Sequence, residues 1–415
     1  MSLKYYISLS ILLVVQTSMA AFSNYNSILI GDQAAGMGGA YTAMTSDVSA
    51  LAYYNPAGLA FLDGHSFSAA VGIYKKFDTS FGEEEDYTKA PLRINQGFFR
   101  AIPSSTGNVF KKGDYTLAFS IVVPDFDSFK GDLRNNNENI TTLSYIDESL
   151  WVGGAAAKKI SDTESMGLTV YYTARSYTRS LNDRSFPTAS EAILFNSEKI
   201  LVENALVAIL GYHLDMSEKW SFGASLRTPS LPVKGTGSYF SSRVETNPYS
   251  VTTVNRPDEK SNVNIPAKFA LGVAYREGDD VRVSADASFY QSLEYKDFND
   301  PAIGTHWKHS SIWNLALGLE KRILSWMKIR TGVFTNFSSH PNPDSSLAGS
   351  QPDKVDQVGF SANLVFNSGD KIDYTFGGYY TGGRGKSMQQ INQTTEEVIV
   401  TQHVFTMLVG TAFSF

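Results

Sequence analysis

The chain has 415 residues, a formal net charge of −6 at pH 7 and no cysteine. An acidic balance without a basic stripe argues against nucleic acid as a partner. The lack of cysteine excludes a disulfide framework and a thiolate zinc site. Aromatic residues make up 13% of the chain and include 22 tyrosines, a composition typical of membrane β-barrels, whose interfaces are rich in Tyr and Trp.

Residues 1–20 have the pattern of a secretory signal peptide. Lys4 gives the positive start, residues 7–15 form the apolar core, and Ser18-Met19-Ala20 is a small-x-small cleavage site. We therefore expect export and cleavage after Ala20. No later apolar run approaches the roughly 18 residues that a membrane helix needs. A soluble periplasmic protein, a secreted protein and a membrane β-barrel remain as alternatives.

The stretch from Gly31 to Leu59, GDQAAGMGGAYTAMTSDVSALAYYNPAGL, is rich in Gly and Ala and almost free of charge. Its glycines allow tight turns and close backbone approach, and its proline fixes φ and biases the preceding residue away from helix. A flexible linker would need neither the aromatic pair Tyr53 and Tyr54 nor the stiff ending Asn55-Pro56-Ala57-Gly58. The candidate functional residues of this stretch are Gly36, Gly38, Gly39, Asn55, Pro56 and Ala57.

From Phe67 onward, apolar residues alternate with small or polar ones in blocks of about ten. In residues 267–277, for example, Leu271 is predicted to face lipid, and Gly272 is predicted to face the lumen and to tolerate a small polar side chain. Fourteen such blocks predict an all-β protein, a 14-stranded antiparallel transmembrane β-barrel. A soluble sandwich would also bury its apolar faces, so the connections between strands have to decide between the two.

The predicted connections alternate strictly between long and short. The long ones include 125–147, 177–200, 228–266, 291–311 and 382–402, whereas the short ones include 278–279 and 323–325. This order is the signature of an outer-membrane barrel with turns on one rim and loops on the other. Trp220 and Trp326 are predicted at the inner aromatic girdle, and Tyr379 and Tyr380 at the outer one. The last strand ends on Phe415. A terminal aromatic strand of this kind resembles the signal that the outer-membrane assembly machinery recognises.

The stretch from Gly31 to Leu59 resembles the N-terminal hatch of the FadL/TodX-type transporters of long-chain fatty acids and other hydrophobic compounds. Its position, after a signal peptide and before a series of strands, is also that of the hatch. The resemblance implies a signal peptide (1–20), a hatch inside the lumen (21–64) and a barrel (65–415). It also implies passive uptake across the bacterial outer membrane by loop capture, hatch rearrangement and lateral exit through the wall.

The resemblance also suggests candidate site residues. In the family the lateral gap lies at a kink in the third strand, where this chain has Pro124, although proline is also ordinary at a strand end. Lumen-facing cations could bind a carboxylate, but arginines in a barrel lumen commonly pair with barrel acids such as Asp286. These cations are Arg175, Arg227, Lys328 and Arg330. Apolar loop residues could form an entrance groove or pack the loops together, and they are Phe126, Phe129, Phe240 and Tyr249.

Other motifs do not support catalysis or a cofactor. The two histidines His306 and His309 lack a third ligand, so no metal site is expected, and no GxSxG elbow is present. The acidic run at 83–86 fits a solvated loop better than a Ca²⁺ site bridging lipopolysaccharide. A non-transporting barrel that anchors a surface or secretion partner would share the hatch, and the sequence leaves this alternative open beside uptake of a hydrophobic small molecule.

Overall fold

The computed structural model of the chain describes residues 22–62, 66–81, 93–94, 98–134, 140–188, 190–262, 264–300, 302–346, 351–368, 372–391 and 394–414. The predicted signal peptide, the acidic run at 83–86 and Phe415 lie outside these residues. Among the described residues, no helix is long and apolar enough to cross a membrane.

Short helices come first in the chain, and strands make up nearly all the rest. The helical elements are α1 (Asp32–Gly36), α2 (Val48–Tyr54) and a 3₁₀ helix (Pro56–Phe61). The strands are β1 (Ser66–Phe81), β2 (Arg93–Ile94), β3 (Phe98–Lys112), β4 (Tyr115–Arg134), β5 (Ile140–Lys159), β6 (Glu164–Thr188), β7 (Glu191–Asp215), β8 (Trp220–Arg227), β9 (Leu231–Thr246), β10 (Tyr249–Lys260), β11 (Lys268–Glu277), β12 (Val281–Tyr290), β13 (Leu293–Lys296), β14 (His306–His309), β15 (Ile312–Leu324), β16 (Met327–Asn336), β17 (Gln357–Ser368), β18 (Ile372–Ile391) and β19 (Thr394–Ser414).

Antiparallel pairing closes these strands into a barrel. β1 pairs with both β3 and β19, so the sheet has no free side where the chain's ends meet. β8 and β9 share one position in the wall because both pair with β7, and β11 and β10 share the next position. β2 and β3 also share a position, because both pair with β1, and β13 and β14 form a separate sheet. The described strands therefore occupy 14 wall positions, and the predicted fold class is confirmed.

The wall is apolar outside and polar inside. In β17, Val358, Phe360 and Leu364 are exposed on the outer face, while Ser361 and Asn363 are buried on the inner face. This arrangement inverts that of a soluble sheet and suits a wall surrounded by lipid. Trp220 and Trp326 are about half exposed at the short-turn end of the barrel, where the sequence predicts an aromatic girdle.

The predicted outer girdle is wrong for Tyr379. Adjacent residues of a strand point to opposite faces, so Tyr379 and Tyr380 cannot both face outward. Tyr380 faces outward and packs against Phe360, with the two ring centroids 5.5 Å apart. Tyr379 faces inward, is only 3% exposed and accepts a hydrogen bond from the Leu29 backbone N–H.

Several predicted long connections are strand rather than loop. β4 continues to Arg134 and β5 begins at Ile140, and β6 and β7 continue to Thr188 and Glu191, so both pairs form long hairpins. In these extensions the outer face also carries polar residues, such as the exposed Thr178, Asn182 and Arg184, because beyond the apolar band it meets water. The alternation that reveals a strand inside the band is therefore lost. Since the hairpins extend at one end only, the predicted asymmetry of the two rims remains.

Residues 22–62 lie inside the barrel. Asn55 donates to the Tyr212 carbonyl of β7 (2.9 Å), the Tyr41 N–H donates to Asp286 of β12 (2.8 Å), and Thr375 of β18 donates to Asp32. These strands lie on different sides of the wall. The segment therefore fills the lumen, and we call residues 22–62 the interior segment.

Candidate functional site

Local side-chain bonds fix the shape of the interior segment. The Asp47 carboxylate caps α2 by accepting from the Ser49 N–H (3.1 Å), as expected of a helix N-cap. Asn55 is fully buried; its Oδ1 accepts from the Ala57 N–H (3.1 Å) and its Nδ2 donates to the Thr42 carbonyl (2.7 Å). Pro56 then begins the 3₁₀ helix. The Asn-Pro-Ala corner is thus tied to the interior segment and, through Tyr212, to the wall.

Glycines of the wall, which the sequence does not single out, let the interior segment lie close against the strands. A Cβ at Gly211 would lie 2.1 Å from Asn55 Oδ1, and one at Gly223 would lie 2.0 Å from the Thr42 carbonyl oxygen. Other wall glycines with such close approaches are Gly167, Gly318 and Gly332. The available signal was a glycine at an inward-facing strand position, where barrels otherwise place polar side chains.

Gly272 belongs to this set, so its predicted tolerance of a polar side chain is wrong. A Cβ there would lie 2.5 Å from Asp286 Oδ1 and 2.9 Å from Thr42 Cβ. The inward direction was predicted correctly, but the space is occupied. On the interior side, Gly38 and Gly39 have φ values of 67° and 82°, a region that side chains other than glycine rarely adopt.

A cavity of about 620 Å³, measured with its open mouth, lies between the interior segment and the long-hairpin end of the barrel. Phe22, Tyr25 and Tyr53 of the interior segment contribute aromatic surface. The polar wall residues around the cavity are Asp125, Ser149, Thr173, Arg175 and Arg227. The combination of aromatic surface with a few convergent polar groups is typical of a site for a small organic molecule.

Arg175 is fully engaged by wall acids. Its Nε and Nη2 donate to the two oxygens of Asp147 (2.8 and 2.6 Å), and its Nη1 donates to Glu203 (3.1 Å). Both acids are completely buried. The guanidinium also lies over the Phe22 ring, with Cζ 5.4 Å from the ring centroid. Arg175 therefore shapes the cavity, and its charge is already matched.

Arg227 is different, because no ion pair joins it to any acid among the described residues. It is 6% exposed, its Nη2 donates to the Pro266 carbonyl (3.1 Å), and its Nε has no hydrogen-bond partner. Its Cζ lies 5.6 Å from the Trp151 ring and 5.7 Å from the Tyr290 ring. A buried cation held between aromatic rings, with a free N–H, is available to an acceptor in the cavity.

The other two predicted cations lie elsewhere. Arg330 is 1% exposed and pairs with Glu320 (2.6 Å) and with Asp32 of the interior segment (3.5 Å). Lys328 precedes it on the same inward face of β16, near the short-turn end, and its charge acts on Glu320. Neither residue lines the cavity. Of the four cations, the structure brings Arg175 and Arg227 together.

The four apolar residues predicted for an entrance groove do not form one surface. Phe126 is 2% exposed within the cluster that includes the interior segment, whereas Phe129 is 8% exposed and stacks on Tyr145 inside the hairpins. Phe240 and Tyr249 are 41% and 77% exposed on the β9–β10 hairpin. Phe129 belongs to a cluster that packs the long hairpins together, which was the other interpretation that the sequence left open.

Pro124 lies at an irregularity of the wall. The β4–β5 register shifts between Val122 and Asp125, and the β3–β4 ladder ends at the pair Ser105 and Val122. Beyond this point, the described residues of β4 have no ladder partner on the β3 side. Because proline cannot donate a ladder hydrogen bond, the wall has fewer ladder bonds beside Pro124, next to the cavity-lining Asp125.

A hairpin covers the cavity in a region where the sequence predicts a loop (291–311). We call this hairpin, formed by β13 and β14, the lid. Leu293, Tyr295 and His309 of the lid line the cavity. Asp297, just after β13, forms a buried ion pair with Lys199 of β7 (2.5 Å). Burial lowers the pKa of His309 to about 3, so this imidazole is neutral near pH 7 and Arg227 remains the unmatched cation.

The closed wall, the filled lumen and the roofed cavity define a 14-stranded β-barrel with an interior plug. No family model and no curated protein sequence matches the chain. Among solved structures, a Pseudomonas aeruginosa FadL homologue superposes with a TM-score of 0.67 at 15% identity, over 95% of this chain and 100% of that one. The P. putida toluene transporter TodX gives 0.65 at 13%, over 93% and 99%.

The Ralstonia pickettii toluene transporter TbuX gives a TM-score of 0.59 at 14% identity, over 94% of this chain and 100% of that one. These likenesses extend over nearly the whole of each chain. At such identities they show the fold: this chain has the fold of hydrophobic-compound channels of the FadL/TodX type.

Proposed function

We propose that the protein is an outer-membrane channel for the passive uptake of hydrophobic molecules with a polar end, of which long-chain fatty acids are the simplest. The observation that carries the proposal is the cavity with Arg227. An apolar tail gains about 0.8 kcal/mol per buried CH₂, and a guanidinium without an acid partner suits a carboxylate. Residues 1–20 would direct export, 21–64 would be the hatch and 65–415 the barrel.

The route follows from what surrounds the cavity. A molecule enters beneath the lid, binds with its polar end at Arg227, and meets the interior segment below, which blocks the direct path along the lumen. The irregularity at Pro124 offers an opening toward the lipid beside Asp125. Movement of the interior segment would then release the molecule sideways into the membrane.

Uptake of labelled oleate by a bacterial host that lacks its own fatty-acid carrier tests this function. We expect the wild-type protein to restore uptake and Arg227→Gln to lower it about tenfold, since a charge-assisted hydrogen bond is lost. Arg276→Gln is the matched control, because this arginine is 42% exposed at the short-turn end, away from the cavity. Normal surface levels of the wild type with no uptake of any hydrophobic compound would favour an anchoring role instead.

A further inference from the structure

The cavity is lined by a carboxylate as well as by cations, which is unexpected for a site that binds only a carboxylate. Arg175, Arg227 and Asp125 line it, whereas Asp147 and Glu203 lie behind Arg175 as its ion-pair partners. Arg175 is shared by these two acids. The charges left for a ligand are therefore Arg227 and Asp125, one of each sign.

Asp125 presents a free acceptor to the cavity. Its Oδ2 accepts from the Ser149 hydroxyl (3.0 Å), and among the described residues its Oδ1 has no hydrogen-bond partner. The side chain is half-buried and lines the cavity. Arg227 lines the same cavity, yet no ion pair joins it to Asp125. A ligand can therefore reach both groups at once.

We propose that the cavity is selective for long-chain acids that carry a hydroxyl group beside the carboxylate. The carboxylate accepts from Arg227 and the hydroxyl donates to Asp125 Oδ1, while Tyr53 and Leu293 contact the beginning of the chain. This inference rests on the proposed uptake function and names the substrate class of the same site.

The expected selectivity has a clear physical origin. An ionised carboxylate is only an acceptor, so it needs a donor when a ligand displaces the water around it. An unsubstituted fatty acid places methylene groups against Asp125 and leaves this acceptor desolvated, whereas a hydroxy acid supplies the missing donor. Sites with buried polar groups reject the analogue that lacks the matching hydroxyl for the same reason.

Competition binding tests the inference. The mature protein in detergent is loaded with a fluorescent fatty acid, which is displaced by palmitic acid or by its α-hydroxy or β-hydroxy derivative. We expect at least one hydroxy derivative to bind about tenfold more tightly than palmitic acid. In Asp125→Asn, which keeps the shape but removes the charge, this preference should fall to about twofold or less.

Asp127→Asn is the matched control, because Asp127 is the next inward-facing acid on the same strand and accepts from the Tyr145 hydroxyl (3.0 Å) outside the cavity. It should keep the wild-type preference, and heat-modifiable gel migration will verify that both variants are folded. Equal wild-type affinity for all three acids, or a preference that survives Asp125→Asn, would overturn the inference. Absence of binding by all three acids would instead contradict the proposed uptake function.

Discussion

At Gly211 we expect the addition of one methyl group to displace the interior segment. A Cβ in Gly211→Ala would lie 2.1 Å from Asn55 Oδ1 and 2.8 Å from the Ala57 backbone nitrogen. Since Asn55 is held by three hydrogen bonds, it cannot retreat without losing them. We expect a loss of about 1–3 kcal/mol of stability, as for other overpacked sites, together with raised conductance in planar bilayers.

Gly154→Ala is the control for this substitution. Gly154 also lies in a wall strand, but the nearest atom to its Cβ would be the Ala118 carbonyl oxygen at 3.9 Å. It should leave both the thermal midpoint and the conductance unchanged. Equal stability of the two variants would show that the interior segment does not need close contact with β7.

On the outer face, Leu271 tests which side of the wall meets lipid. It is 38% exposed within the apolar band, and Leu271→Arg should lower the free energy of unfolding in urea by about 2–4 kcal/mol, because a charge is moved into the bilayer. Leu271→Met, which keeps the outer face apolar, is the control and should remain near the wild-type value. If Leu271→Arg also unfolds like the wild type, the assigned lipid face of β11 is wrong.

At the scale of elements, a buried ion pair joins the lid to β7 of the wall. Lys199 Nζ donates to Asp297 (2.5 Å) and to the Thr305 hydroxyl (3.1 Å), and both charged side chains are almost fully buried. Lys199→Met would leave Asp297 buried without its cation, a loss of about 3–5 kcal/mol in other proteins. We expect the lid to open and proteases to cleave between β13 and β14 while the wall remains intact.

The control for the lid is its exposed ion pair. His306 and Glu294 lie 2.8 Å apart but are about half exposed, and such surface pairs contribute little to stability. His306→Gln should therefore leave the rate of cleavage unchanged. Faster cleavage in His306→Gln than in Lys199→Met would show that the buried pair does not hold the lid.

At the scale of the whole molecule, the sequence predicts the wall well because the strand period is local information. The alternation around Leu271 and Gly272 predicts which side of the wall each residue faces, even though the residues that contact them are not known. What lies opposite each inward residue is long-range information: Arg330 meets Asp32 across the lumen (3.5 Å), and Gly272 meets Thr42. The sequence therefore predicted the directions of Arg330 and Gly272 but not the ion pair or the close contact.

The sequence pattern does not predict the lid or the long hairpins, and this has a second reason. Their residues leave the apolar band, so a strand there has no obligatory alternation to reveal it. Leu293 to Lys296 is too short to stand out in any case. The cavity depends on this lid, on the interior segment and on separate wall strands. The sequence could therefore propose Arg175 and Arg227 as candidates, but it could not show that Arg175 pairs with two acids while Arg227 pairs with none among the described residues.

Deletion of residues 22–58 tests whether the interior segment closes the channel. The wall should persist, because its ladder is continuous without the segment and Arg330 keeps Glu320 as a partner. The vacated inner face carries polar groups such as Asp286, Asn363 and Thr375, which water can solvate, so a barrel of this size should hold a wide aqueous pore. We expect a large rise in bilayer conductance and sensitivity of the host to bulky antibiotics, with Gly154→Ala as the unchanged control. A folded deletion variant with wild-type conductance would mean that the segment does not occlude the lumen, and the proposed lateral route, which depends on that block, would lose its basis.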